Sequence, residues 1–134
     1  MANRTVTEYL GELVAIFEQT KPEDMYFMFD LPSDTLYVDF DQSAVNCVNV
    51  YVDGGWMVRV NRQTNHVLGL QIENVLACEV ERFPFLYDVV LLTEPEGFEP
   101  SPVERAMRKA IVQHPADTIN QFRDHIPELA GVGD

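Results

Sequence analysis

From Leu36 to Ile72 apolar and polar residues alternate with a period of two, and this pattern limits the chain more than any other feature. Successive side chains of an extended strand point to opposite faces, so such alternation buries one face and leaves the other to solvent. Leu36, Val38 and Phe40 alternate with Tyr37, Asp39 and Asp41, and Val48, Val50 and Val52 with Asn49, Tyr51 and Asp53. Trp56, Val58 and Val60 alternate with Met57, Arg59 and Asn61, and Leu68, Leu70 and Ile72 with Val67, Gly69 and Gln71. Asp53-Gly54-Gly55 is a tight-turn signal, and Asn61 to Asn65 is a short polar loop. Connections this short join antiparallel neighbours, because parallel pairs need a long crossover. With the apolar run Met25 to Asp30 and the turn residues Leu31-Pro32-Ser33-Asp34, the expectation is an antiparallel β-meander of about five strands, in a sheet over about residues 25–92.

The end of that range carries two readings. In Phe83-Pro84-Phe85-Leu86-Tyr87-Asp88-Val89-Val90-Leu91-Leu92 the apolar residues fall on both parities. That pattern fits a strand covered on both faces, or an exposed patch meant for a partner.

Helices flank the sheet. Thr5 and Glu8 have capping-box spacing, and Val6, Leu10, Leu13, Val14 and Phe17 follow at helical spacing, which predicts a helix over about 6–19. Residues 93–100 form an acidic, Pro-rich loop. Ser101-Pro102-Val103-Glu104 opens a helix over about 102–113, with Val103, Ala106, Met107, Ala110 and Ile111 on one face. A second short helix over about 117–126 buries Ile119, Phe122 and Ile126, and the tail from Leu129 reads as frayed. The expected class is α+β in a single domain spanning 1–134, with an N-terminal helix and a C-terminal helix pair.

Charge narrows the function classes. The 22 Asp and Glu outnumber the 9 Lys and Arg, for a formal charge of −13. Nucleic acids and anionic membranes need clustered cations, and the longest cluster here is Arg105, Arg108 and Lys109, so neither is expected as a direct partner. Residues 1–43 carry a net −7 and residues 93–134 a net −4, so the acidity lies in the outer thirds. It points to solubility, or to a partner with a basic surface, of which nucleic-acid mimicry is a narrower form. No apolar run approaches the roughly 20 residues of a membrane helix, no secretory h-region opens the chain, and two distant cysteines fit a reducing cytoplasm.

Candidate chemistry is sparse. Asp30, Asp34, Asp39 and Asp41 form the densest acidic group, and the last two share a strand face about 7 Å apart. Such a pair can hold a hard cation or act as acid and base, although the EF-hand pattern is absent. Cys47, Cys78, His66 and His114 lack zinc-ligand spacing. Cys78 reads as a small buried hydrophobe, while His114 and His125 suit helix C-termini. No phosphate loop, nucleophile elbow or zinc-protease motif occurs, and no cofactor is expected. Tyr37 and Tyr51 lie on outer parity, where they can pair across strands and meet a partner.

Phe29-Asp30, Asp34-Thr35-Leu36-Tyr37-Val38 and Val67-Leu68-Gly69-Leu70-Gln71-Ile72-Glu73-Asn74 resemble a small bacterial family catalogued as a domain of unknown function. Its members read Tyr-Asp, then Asp-x-Leu-Tyr-Ile/Val, then Gly-Ile/Leu-Glu-Ile. Phe29 stands here where Tyr is usual, and Gln71 where Glu is usual. The resemblance covers residues 27 to about 76 and implies a small β-rich module with a packed helix; it assigns no activity, since none is established for the family.

The resulting expectation is a non-enzymatic protein-binding or accessory module. Its contacts are Tyr37, Asp39, Asp41, Tyr51, Phe83, Phe85 and Tyr87, and its partner is a basic protein or a second copy of itself. The alternative is a small metal-dependent hydrolase using Asp39 and Asp41.

Overall fold

The computed structural model describes residues 4–40 and 46–133, with the side chains of 130–133 left out. The expected capping box opens α1 (Val6–Gln19): the Thr5 side chain accepts from the Glu8 N–H at 3.1 Å, and the Glu8 carboxylate accepts from the Thr5 N–H at 3.4 Å. Two main-chain donors that the helix leaves free are thereby satisfied. Tyr9, Leu10, Leu13 and Phe17 form its buried stripe. Pro22–Asp24 makes one 3₁₀ turn before the sheet begins.

Five antiparallel strands follow: β1 (Tyr26–Asp30), β2 (Thr35–Asp39), β3 (Cys47–Asp53), β4 (Trp56–Asn61) and β5 (Val67–Ile72). Their spatial order is β1-β2-β5-β4-β3, so the simple meander fails at one step. The chain leaves β2, passes to the far edge, and returns through the short turns β3-β4-β5. A bulge between β4 and β5 lets Val67 turn inward beside Leu70 and Ile72, leaving Leu68 half-buried. The expected inward row of Leu68, Leu70 and Ile72 is corrected to that extent.

The sheet ends at Ile72. Asn74, at φ 56°, turns the chain into one π-helical turn (Val75–Glu79) that runs on into α2 (Val80–Arg82). Phe85–Thr93 is helix α3, not a strand, and Phe85, Leu86, Val89, Val90 and Leu91 are buried. Both readings of 83–92 are thus replaced. A helix enclosed on all sides and a doubly covered strand share the same apolar pattern, and periodicity does not separate them. Phe83 and Phe85 lie in the core, while Tyr87 is half-buried with its hydroxyl on Glu104, so none offers the expected docking patch.

Helix α4 (Pro102–Gln113) begins on the expected cap, with the Glu104 N–H on Ser101 Oγ at 3.1 Å, yet none of its residues is buried. Helix α5 (Pro115–Gly133) is longer than the expected 117–126 and continues through Pro127. Leu129, expected in a frayed tail, is buried. It extends the stripe Ile119-Phe122-Ile126 that packs on α1, and Phe17 stacks on Phe122 at 5.2 Å. That burial offsets the lost hydrogen bond at Pro127.

One core joins α1, α3 and α5 to the inward row Leu36, Val38, Trp56, Val58, Leu70 and Ile72. The helices lie on one face of the sheet and, among the described residues, no element packs on the other. The fold is α+β, an antiparallel sheet with an N-terminal helix and C-terminal helices. Among the described residues no helix is long and apolar enough to cross a membrane.

Candidate functional site

The open face carries two rows of side chains, built by strand pairing. Register aligns Met28, Tyr37, Gln71, Met57 and Tyr51 across all five strands. The neighbouring row is Tyr26, Asp39, Gly69, Arg59 and Asn49. Tyr26, Met28 and Tyr51 are 42%, 56% and 62% exposed.

The second row is organised by its glycine. Arg59 on β4 pairs with Asp39 on β2, although β5 runs between them. Two strand spacings separate them, about 9.6 Å, which the long arginine stem covers only if nothing stands in between. Gly69 supplies that gap: a Cβ there would lie 2.5 Å from Asp39 Oδ1 and 2.5 Å from the Val38 carbonyl oxygen. Arg59 also donates to Cys47 Sγ at 3.5 Å and lies 6.0 Å from the Tyr37 ring centroid. Burial alone would lower the Arg59 pKa, but the Cys47 contact and the Asp39 charge raise it above its ordinary value. Arg59 stays a cation and Asp39 is engaged by it. Tyr26, Met28, Tyr37 and this ion pair line a shallow groove of about 640 Å³.

The acidic group of the sequence comes apart in the fold. Asp30 accepts from Ser33 in the β1–β2 turn. Asp34, at φ 53°, accepts the N–H groups of Leu76 and Ala77 at 2.8 and 3.0 Å and so anchors the π-helical turn. Asp39 belongs to the Arg59 pair, and Asp41 lies outside the described residues. Tyr37 and Tyr51 share a row but are three strands apart, which corrects the expected cross-strand pair. Cys78 is exposed, not buried, because the π-helical turn points it outward.

Sequence reasoning missed Arg59, whose strand parity placed it outside but whose partner two strands away depends on topology. It also missed Glu79. This buried carboxylate accepts from the Trp56 indole N–H at 2.9 Å, the Gly55 N–H at 3.2 Å and Arg82 Nη1 at 3.1 Å. A buried tryptophan needs an acceptor for its N–H, and that requirement was the available signal. Glu79 locks the β3–β4 turn onto the helices; Gly54 there has φ 58°, and a Cβ on it would meet Arg82 at 2.4 Å. Among the described residues no three His, Cys, Asp or Glu side chains converge in a way that holds a metal ion. No family model matches the chain, and neither a curated protein nor a solved structure matches it.

Proposed function

We propose that the chain is a non-enzymatic protein-binding module that receives its partner on the open face of the sheet. The observation that carries this reading is the row Met28, Tyr37, Met57 and Tyr51 beside Arg59, with Met28 and Tyr51 exposed and Tyr37 and Met57 half-buried between them. Tyrosine, methionine and arginine are the residue types enriched where proteins meet, and large exposed side chains on a rigid sheet lose little further freedom on binding. The net charge of −13 favours a partner with a basic surface, drawn in by long-range attraction. The same charge disfavours direct contact with nucleic acid, and a cytoplasmic site of action belongs to this reading. No specific observation favours a metal-dependent hydrolase, because Asp39 already holds the Arg59 cation.

The test is affinity capture with the wild-type chain beside Met28→Glu and Tyr51→Glu, two exposed positions whose change spares the core. Proteins captured by the wild type alone, basic in net charge and released by added salt, support the reading. Identical capture by all three chains, with no basic bias and no salt dependence, refutes it.

A further inference from the structure

The two edges of the sheet are unlike. β1 is five residues long and is bounded by Pro22, Glu23 and Asp24 on one side and by Asp30 and Pro32 on the other. Prolines, charges and short length are the devices that keep an edge strand from pairing with another chain. β3 is seven residues long, and its run Cys47-Val48-Asn49-Val50-Tyr51-Val52 contains no charge, proline or glycine. Among the described residues no strand lies beyond it.

Its hydrogen-bonding side follows from one bond. The Arg62 N–H donates to the Asn46 carbonyl at 3.1 Å, so residues 46 and 62 form a hydrogen-bonded antiparallel pair. Such pairs alternate along a ladder, so Val48 and Val50 bond to β4, while Cys47, Asn49 and Tyr51 turn their N–H and C=O groups to the open edge. A second feature coincides with these free groups. Val48 lies on the inward parity of β3, yet it is 38% exposed and Val50 beside it is half-buried, so the core is unfinished at this edge.

We infer that β3 is a self-association edge, on which a second copy of this chain pairs antiparallel about Asn49 to make one continuous ten-stranded sheet. Two features select a second copy over a basic partner. The run Cys47–Val52 offers no acid to a basic segment, Asp53 at its end being held by Arg82, and its neutrality removes the repulsion that two chains of −13 would meet at most other surfaces. Antiparallel pairing about a two-fold axis is also self-complementary. Asn49 faces its own copy, Cys47 faces Tyr51, and each Val48 packs against the Val50 of the other chain, covering the exposed part of the inner face. This inference does not rest on the open-face reading: Met28 and Tyr37 stay uncovered in the dimer.

Sedimentation equilibrium tests it. The wild type is expected at twice the 15.3 kDa chain mass. Asn49→Pro removes a donor that serves only the open edge, and Val48→Lys places a charge at the seam. Each is expected to raise the dimer dissociation constant by about 100-fold, since every change occurs twice and a tenfold loss per site is about 1.4 kcal/mol. Circular dichroism identifies the variants that keep their fold. Paired β-strands at Asn49 would bring the two Cα atoms to about 5.5 Å, inside the disulfide range. Asn49→Cys, in a chain with Cys47→Ser and Cys78→Ser, is therefore expected to form a covalent dimer on mild oxidation, which supplies a readout independent of the first two variants. A wild type that remains monomeric at the highest attainable concentration overturns the inference. So does a dimer that persists in a folded Asn49→Pro or Val48→Lys chain, or an Asn49→Cys chain that does not cross-link.

Discussion

The two faces of the sheet come from the same strands and do opposite work. Leu36, Val38, Trp56, Val58, Leu70 and Ile72 point inward and lose their contact with water. Met28, Tyr37, Met57, Arg59 and Tyr51 alternate with them and keep much of theirs. The inward row meets helices α1, α3 and α5; the outward row is tied together by an ion pair that crosses an intervening strand. Stability and recognition are thus divided by parity, one residue apart along each strand. Substitutions on one face should be felt as unfolding, and on the other as lost binding.

The sharpest break of that contrast is Trp56→Ala. It empties a fully buried ring and takes one of three donors from Glu79, and is expected to cost about 3–5 kcal/mol in urea unfolding. Glu79→Ala follows, at about 3 kcal/mol, because the Trp56 and Gly55 donors lose a buried acceptor. A loss under about 1 kcal/mol would show that water replaces the carboxylate. Gly69→Ala is the case in which an outer-face change acts like an inner one. The added methyl meets main-chain atoms of β2, and about 1–3 kcal/mol is expected, together with loss of the Arg59–Asp39 pair. Asp39→Asn tests that pair alone; exposed ion pairs contribute about 0.2–1 kcal/mol and this one is partly buried, so about 1 kcal/mol is expected, with a larger change in binding. Tyr51→Ala should fall within about 0.5 kcal/mol of wild type.

Acid titration separates two further carboxylates. Burial alone would raise Glu12 above its ordinary 4.5, but hydrogen bonds from Arg4 and the Val67 N–H, with the charges of Arg4 and His66, hold it below that value. Its contribution is present above pH 4.5 and lost as pH falls through the lower folded value, so Glu12→Gln should flatten that part of the stability curve. Asp88 is pushed up from 3.8 by burial. Its effect has the opposite sign: stability is greatest below pH 3.8 and falls as pH rises through the folded value. Asp88→Asn should therefore raise the midpoint at neutral pH in a thermal melt, and an unchanged midpoint would show that the group is solvated.

The neighbouring helices α3 and α4 show why part of the fold was readable and part was not. Ser101 and Glu104 announce α4 by local hydrogen bonding, which needs nothing beyond four consecutive residues. Helix α3 has no such cap, and its apolar surround matches a buried strand as well as a buried helix. α4 also separates amphipathicity from burial. Its apolar side is clear in the sequence, yet Val103 is 69% exposed, because the helix is held by Arg108 on the Leu91 carbonyl and on Glu94 instead of by the core.

The sequence by itself determined the quantities that depend on near neighbours: which residues of β2, β3 and β4 face inward, where α1 and α4 begin, where the chain turns, and the sign of the net charge. Tertiary structure decided what depends on distant pairing. It brought β5 beside β2, let Arg59 reach Asp39 over Gly69, gave Glu79 to Trp56, and left β3 at the edge of the sheet. The division is physical: alternation and capping act over two to four residues, whereas strand order is set by which long connection closes over a shared core.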